Sequence, residues 1–120
     1  MAQVTSYRDL EVWQRAMAVV EACYVLTASL PTQERFILGT QIRRAAASIP
    51  ANIAEGHRRT RRAYLNHLSI ALGSHAELET YLEVARRLGL LKGPLLTGAN
   101  ALLQSLGQLL HALVRSLERC

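Results

Sequence analysis

Cysteine and aromatic residues are both scarce in this chain of 120 residues, which contains two cysteines and six aromatic side chains. Cys23 and Cys120 are far apart in the sequence, so they predict neither a disulfide framework nor a metal cluster, and a reducing compartment is expected. β-Branched residues are sparse too, whereas Leu and Ala, which favour helices, supply most of the apolar content. This composition predicts an all-α protein.

Long hydrophobic runs are also absent. No segment reaches the roughly 18 uninterrupted apolar residues that a membrane-spanning helix needs. Residues 1–9 are polar, which predicts that no signal peptide is present. We therefore expect a soluble, cytoplasmic protein with no membrane partner. A chain of 120 residues is long enough for one hydrophobic core, which predicts a single domain over residues 1–120.

Apolar residues recur every three or four positions in four segments, as they do along one face of an α-helix. The predicted helices span about 9–30, 33–56, 60–89 and 97–118. Asp9 is the expected N-cap of the first helix, and Gly56 is the expected C-cap of the second. Four such helices joined by short turns predict an antiparallel up-down-up-down four-helix bundle.

The first and third predicted helices have more apolar surface than one bundle core can cover. Each has two neighbouring apolar strips, and these begin at Leu10 and Val12 in the first helix and at Tyr64 and Ile70 in the third. The excess predicts that the chain self-associates. Gly73 lies in the middle of the third helix, where glycine costs about 1 kcal/mol relative to alanine, so we expect a close helix approach at this position.

Positive charge is concentrated in one part of the sequence. Of the 14 basic and nine acidic residues, six arginines and a single acid, Glu55, lie between positions 43 and 62, so the rest of the chain is electrically balanced. A localised basic patch is an electrostatic site for polyanions. The candidate nucleic-acid-binding residues are Arg43, Arg44, Arg58, Arg59, Arg61 and Arg62.

Arginine side chains offer forked donors that suit phosphate groups, which favours salt-sensitive binding directed at the nucleic-acid backbone. Tyr64 is the only aromatic residue close to these arginines in the sequence, so base stacking is not indicated. A solvated helix end with no ligand is the competing interpretation, because runs of like charge are usually of that kind.

A polar strip follows the second predicted helix beside Pro50, which removes one backbone hydrogen bond. We interpret this strip, together with two polar residues of the third helix, as a structural network in which side chains satisfy the carbonyls that Pro50 frees. Its members are Ser48, Asn52, Glu55, Ser74 and Glu77. Arg43 or Arg44 is expected to pair with one of the two acids. A buried network of this kind fixes helix register more than it adds stability.

No group of residues indicates catalysis. The sequence has no Gly-rich phosphate loop, no zinc-binding spacing and no nucleophile with its base. His75 and Glu79 are four residues apart, but a di-iron site in a helical bundle needs a second His and further carboxylates. We therefore predict a non-enzymatic protein with no catalytic residue, no metal and no cofactor.

Three segments resemble proteins of a known family. They are residues 7–13 (YRDLEVW), 41–56 (QIRRAAASIPANIAEG) and 71–80 (ALGSHAELET). In these segments the chain is similar to the bacterial four-helix bundle proteins known from intervening sequences of 23S ribosomal RNA genes. The resemblance implies a ring-like homopentamer. It also implies kinship with the accessory subunit of diversity-generating retroelements, which binds nucleic acid and a reverse transcriptase.

The leading hypothesis is an oligomeric adaptor whose basic patch contacts nucleic acid or an acidic protein. The alternative is a purely structural protein–protein scaffold with no nucleic-acid role. Salt-dependent binding of nucleic acid separates these two hypotheses.

Overall fold

The computed structural model describes residues 6–119, and these residues form helices and turns but no strand. After a 3₁₀ turn at Tyr7–Asp9 come α1 (Glu11–Thr27), α2 (Thr32–Phe36), α3 (Leu38–His57), α4 (Arg61–Arg87) and α5 (Gly93–Glu118). The four long helices form a bundle in which α3 packs on α1 and α4, and α5 packs on the same two helices. The predicted all-α fold is confirmed for these residues.

The chain enters α1 through the 3₁₀ turn, and Asp9 belongs to this turn instead of capping α1. The Arg8 N–H donates to Ser6 Oγ, and the Ser6 N–H donates to Asp9 Oδ2, both at 3.2 Å. Reciprocal capping of this kind satisfies donors that a helix start leaves free. It also holds Tyr7 against Trp13 of α1, with 5.4 Å between the ring centroids.

The second predicted helix is in fact two helices, because the chain breaks at Ile37. The backbone there has φ −105° and ψ −83°, outside the helical region. Side chains bind the carbonyls next to the break. The Thr40 hydroxyl donates to the Phe36 carbonyl (3.0 Å), and Arg43 Nη2 donates to the Arg35 carbonyl (3.0 Å).

Three other helix ends also differ from the prediction. α1 ends at Thr27, where the hydroxyls of Thr27 and Ser29 donate to carbonyls of the preceding turn. α3 extends to His57, past the expected C-cap. α5 begins at Gly93, four residues early, with Pro94 in its first turn. Proline is tolerated there because the first N–H groups of a helix have no helical partner. Gly93 has a φ of +80°, which glycine adopts without strain.

One apolar core joins all four long helices. Its largest fully buried side chains are Leu26, Leu30, Ile42, Ile49, Ile53, Leu68, Leu78, Leu82, Leu91, Leu103, Leu106 and Leu110. The strip of α1 that begins at Val12 faces this core, whereas Trp13 on the neighbouring strip is only half-buried. Several large apolar side chains are left exposed, namely Tyr24, Val25, Phe36, Ile37, Ile70, Val84, Leu88 and Leu95.

Membrane insertion of a helix would require a long and strongly apolar segment. Across residues 6–119, no helix has both the length and the apolar content to cross a bilayer.

Candidate functional site

Four of the six candidate arginines lie together at the turn between α3 and α4, and we call Arg58, Arg59, Arg61 and Arg62 the arginine cluster. All four are exposed. Two contacts fix this turn in the bundle. Arg61 Nη1 donates to the Leu117 carbonyl in the last turn of α5 (2.9 Å), and the Arg58 guanidinium lies 5.8 Å from the centre of the Tyr7 ring. The cluster is therefore held between the C-terminal end of α5 and the 3₁₀ turn.

Two members of the arginine cluster, Arg58 and Arg62, have charge that no described carboxylate compensates. Arg59 pairs with Glu55 at 3.1 Å, but both side chains are about half exposed, so the pair is weak. Within residues 6–119, Arg58 and Arg62 form no ion pair with an acidic side chain. The cluster therefore has charge available for an anionic ligand.

The two arginines near the end of α4 provide a contrast. Arg86 and Arg87 both bind Glu83, at 2.8 and 2.9 Å. Hydrogen bonds from these two guanidinium groups lower the pKa of Glu83 to about 2. This carboxylate therefore compensates part of their charge.

The other two candidate arginines, Arg43 and Arg44, are separated from the cluster. Arg44 is 14 positions before Arg58, which corresponds to about 20 Å along a helix. The Arg43 guanidinium binds the Arg35 carbonyl and lies 5.8 Å from the centre of the Tyr24 ring. These contacts tie Arg43 to the other end of the bundle, so the six arginines do not form one surface.

The aromatic residue beside the cluster is Tyr7, not Tyr64. Tyr64 is buried, and within the described part of the chain its hydroxyl has no hydrogen-bond partner. Burial also raises the pKa of this hydroxyl. Tyr7 comes from the start of the chain, about 50 residues from Arg58 in sequence. A search for aromatics near the arginines in sequence misses it, whereas the predicted antiparallel bundle would have placed the start of the first helix beside the end of the second.

The polar network lies between α3 and α4, where Ser48, Asn52 and Ser74 meet as expected. The Ser74 hydroxyl donates to Ser48 Oγ (2.8 Å). Asn52 Nδ2 donates to the Ser48 carbonyl (2.9 Å) and to Ser48 Oγ (3.2 Å). The expected role at Pro50 is wrong, because Asn52 binds the Ser48 carbonyl and not the Ala46 carbonyl, which is four residues before the proline.

His67 is the member of the network that sequence reasoning missed. Its Nδ1 lies 3.0 Å from Asn52 Oδ1, so Nδ1–H donates to the amide oxygen. Its Nε2 is 4.0 Å from Glu55 Oε1. The position of His67 gives a sequence signal, since it is one turn after Tyr64 on the buried side of α4. Periodicity alone does not show that its partner is Asn52.

The two predicted acids are at or beyond the edge of the network. Glu55 is exposed and pairs with Arg59, while Glu77 accepts a hydrogen bond from the Tyr81 hydroxyl on its own helix (3.3 Å). The expected pairing of Arg43 or Arg44 with an acid is absent among the described residues. The network thus consists of Ser48, Asn52, Ser74 and His67.

We expect the substitution Asn52→Leu to lower the free energy of unfolding by about 1–3 kcal/mol. Leucine has a similar size but leaves the His67 Nδ1–H without its acceptor. Urea denaturation measures the change. The control is Asn100→Leu at an exposed position of α5, which should change stability by about 0.5 kcal/mol at most. Equal stability of the two variants would contradict the structural role of Asn52.

Two further groups could supply chemistry, but both have structural roles. His75 is buried, and its Nε2 lies 2.7 Å from the Leu103 carbonyl. Burial raises the pKa of Cys23 to about 11, so this thiol is protonated at neutral pH. Among residues 6–119, no three His, Cys, Asp or Glu side chains are arranged to hold a metal ion. Cys120 lies outside the described residues.

Comparison with known proteins agrees with the resemblance seen in the sequence. The family model for the 23S rRNA-intervening sequence protein matches residues 8–112, which include the arginine cluster and the polar network. One solved structure with the same fold is a protein of unknown function from the S23 ribosomal protein family of Bacteroides thetaiotaomicron VPI-5482. It shares 27% sequence identity with this chain at a TM-score of 0.79, and the match covers 86% of this chain and 97% of that one. No curated protein matches.

Proposed function

Because this chain belongs to the 23S rRNA-intervening sequence protein family, we propose that it is a non-enzymatic adaptor that contacts nucleic acid through the arginine cluster. The observation that supports this most is the uncompensated charge of Arg58 and Arg62 at a turn anchored by Arg61. An exposed group of arginines on a fixed turn can reach the phosphates of a nucleic-acid backbone.

The chemistry of such contacts limits what the adaptor can recognise. Guanidinium groups bind phosphate oxygens through paired N–H donors. Phosphates are the same in every nucleotide, so contacts of this kind position a strand but do not read its sequence. Binding at the cluster is therefore weak for each chain, indifferent to sequence and strongly dependent on salt.

The proposed assembly is a ring-like homopentamer of antiparallel four-helix bundles. It is supported by the apolar strip of α4, which continues to Leu88, the residue after the helix end. Ile70, Val84 and Leu88 are each 39% exposed or more. Covering these side chains in a subunit interface removes apolar surface from water. Five copies of the arginine cluster then act together, which raises the affinity for a long polyanion without any new contact.

We expect light scattering or native mass spectrometry at micromolar concentration to give a mass five times the 13.3 kDa of one chain. Ile70→Glu should shift the mass toward the monomer, because it places a charge in the apolar strip of α4. Leu95→Glu is the control, since Leu95 is also exposed but lies on α5. A monomeric wild-type chain would contradict the proposed assembly.

A protein–protein scaffold is the second candidate function, and the exposed apolar side chains favour it. Fluorescence anisotropy of labelled RNA and DNA of mixed sequence separates the two candidates. Adaptor function requires binding at low salt. If neither nucleic acid binds even at low salt, the adaptor proposal is wrong and the scaffold is preferred.

A further inference from the structure

A short apolar groove lies between α1 and α3, next to the arginine cluster. We propose that this groove holds an unpaired base, so that the adaptor prefers single-stranded nucleic acid to a duplex. The inference rests on the proposed function and adds the class of nucleic acid. Three features support it, namely the shape and lining of the groove, the cations at one end of it, and the geometry of a nucleotide.

The groove has a volume of about 330 Å³. Its lining is almost entirely apolar and consists of Tyr7, Trp13, Met17, Val20, Ala47, Pro50, Ala51 and Ala54. The rings of Tyr7 and Trp13 meet edge to face at 64°, and both side chains are only half-buried. Aromatic rings at the edge of an apolar groove offer the surface on which unpaired bases stack.

Two arginine side chains lie at the Tyr7 end of this groove. The Arg8 guanidinium lies 5.5 Å from the ring centres of both Tyr7 and Trp13, and the Arg58 guanidinium lies 5.8 Å from that of Tyr7. Tyr7 also lines a second depression with Ser6, His57 and Arg58. Tyr7 therefore marks the boundary between an apolar surface and a basic one.

A nucleotide of a single strand matches this boundary. Its flat base is apolar on both faces and can enter the groove, while its phosphate remains outside within reach of the arginines. In a duplex the bases are already stacked and paired, so none is free to enter. Stacking of one base on an aromatic side chain is typically worth about 1–3 kcal/mol. This free energy is enough to give the single strand a measurably higher affinity than the duplex.

A second copy of the chain is a poorer occupant of the groove. In the proposed ring, the contacts between copies are head-to-tail, so the groove of one copy would face a different surface of its neighbour. Each copy has a formal net charge of +5, so a neighbour seated on the groove would bring like charge towards Arg8 and Arg58. A polyanion instead gains from the same charges.

Trp13 provides a direct test because it is the only tryptophan in the chain. A 12-nucleotide oligouridine should quench Trp13 fluorescence at low salt, since a base stacked at the groove lies against the indole. A 12-base-pair RNA duplex should leave the emission unchanged. In anisotropy, the single strand should bind about tenfold tighter than the duplex, as expected for the stacking of one base.

Substitution of Tyr7 separates stacking from charge. Tyr7→Leu should weaken binding of the single strand about tenfold and leave duplex binding unchanged. Tyr7→Phe should restore the affinity, because the ring face is retained. The matched control is Tyr24→Leu, which removes an exposed tyrosine of α1 that lies near the Arg43 guanidinium. This control should bind like wild type.

Several results would overturn the preference for single strands while leaving the adaptor function in place. One is equal affinity for the single strand and the duplex, with Trp13 emission unchanged by either. Another is that Tyr7→Leu and Tyr24→Leu weaken binding of the single strand equally. A third is that Tyr7→Phe binds the single strand as weakly as Tyr7→Leu does. A Trp13 emission that depends on protein concentration without nucleic acid would show that a second copy fills the groove. No binding of either form would overturn the proposed function as well.

Discussion

Gly56→Ala should lower the free energy of unfolding by about 1–3 kcal/mol, the usual cost of forcing extra volume into a packed interior. A Cβ atom at Gly56 would lie 2.8 Å from the Cβ of His67 and 2.9 Å from Cδ1 of Tyr64. It would also lie 3.3 Å from the Tyr64 Cα. These neighbours include the α4 backbone, so the strain cannot be relieved by rotating one flexible side chain. The two helices must move apart, which also disturbs the hydrogen bond between His67 and Asn52.

The control for this variant is Gly73→Ala. Among the described residues, no atom beyond the neighbouring backbone of α4 itself lies within 4 Å of a Cβ atom built at Gly73, and the residue is exposed in the middle of α4. Alanine should therefore stabilise the helix there by up to about 1 kcal/mol. Urea denaturation of both variants checks the pair. If Gly56→Ala is as stable as Gly73→Ala, the close packing of α3 on α4 at Gly56 is wrong.

The two glycines show where sequence reasoning about the fold succeeds and where it fails. Periodicity located the four long helices, because each has one face in the core. It assigned the close helix approach to Gly73 and the C-cap to Gly56. In the structure, Gly56 lies inside α3 and makes the close approach, whereas Gly73 faces open space in the middle of α4. Which glycine meets a neighbouring helix depends on how that helix crosses, and the sequence of one helix does not contain that information. The break at Ile37 was missed for a similar reason, since the carbonyls beside it are bound by side chains from the following helix.

The sequence predicted part of the candidate site, as it predicted part of the fold. The run of arginines predicted the basic patch. Ser48 and Asn52 were predicted as a site because they are polar residues on a side of the helix that is otherwise apolar. The separation of Arg43 from the patch follows from its contacts with Arg35 and Tyr24, which no spacing rule predicts. The partners that matter most for the site, Tyr7 for the arginines and His67 for the network, come from other helices or turns.

The second large effect expected is the loss of nucleic-acid binding when the arginine cluster is neutralised. Replacing Arg58, Arg59 and Arg62 with Gln should lower the affinity at least about tenfold at low salt, because three phosphate contacts of each chain are lost. Arg61 is kept, since its hydrogen bond to the Leu117 carbonyl anchors the turn. Thermal unfolding should be close to that of wild type, because the three substituted side chains are exposed. Anisotropy with labelled single-stranded RNA measures the binding.

A variant with the same change in net charge controls for long-range electrostatics. Arg86, Arg87 and Lys92 are exposed and belong to the opposite end of α4 and to the turn that follows it. Replacing these three with Gln also removes three positive charges, but it leaves the arginine cluster intact. The control should keep most of the wild-type affinity. Equal losses in the two variants would show that net charge, and not the cluster, determines binding.

The most direct test of phosphate contact by the cluster is a salt series of RNA binding for the wild type and for the triple variant of Arg58, Arg59 and Arg62. For a single strand, the logarithm of the binding constant should fall with the logarithm of the salt concentration by about 0.7 for each phosphate contact. We therefore expect the slope of the triple variant to be smaller than that of wild type by about 2. Identical slopes for the two proteins, or no binding by the wild type at the lowest salt, would contradict the proposal that the arginine cluster binds nucleic acid.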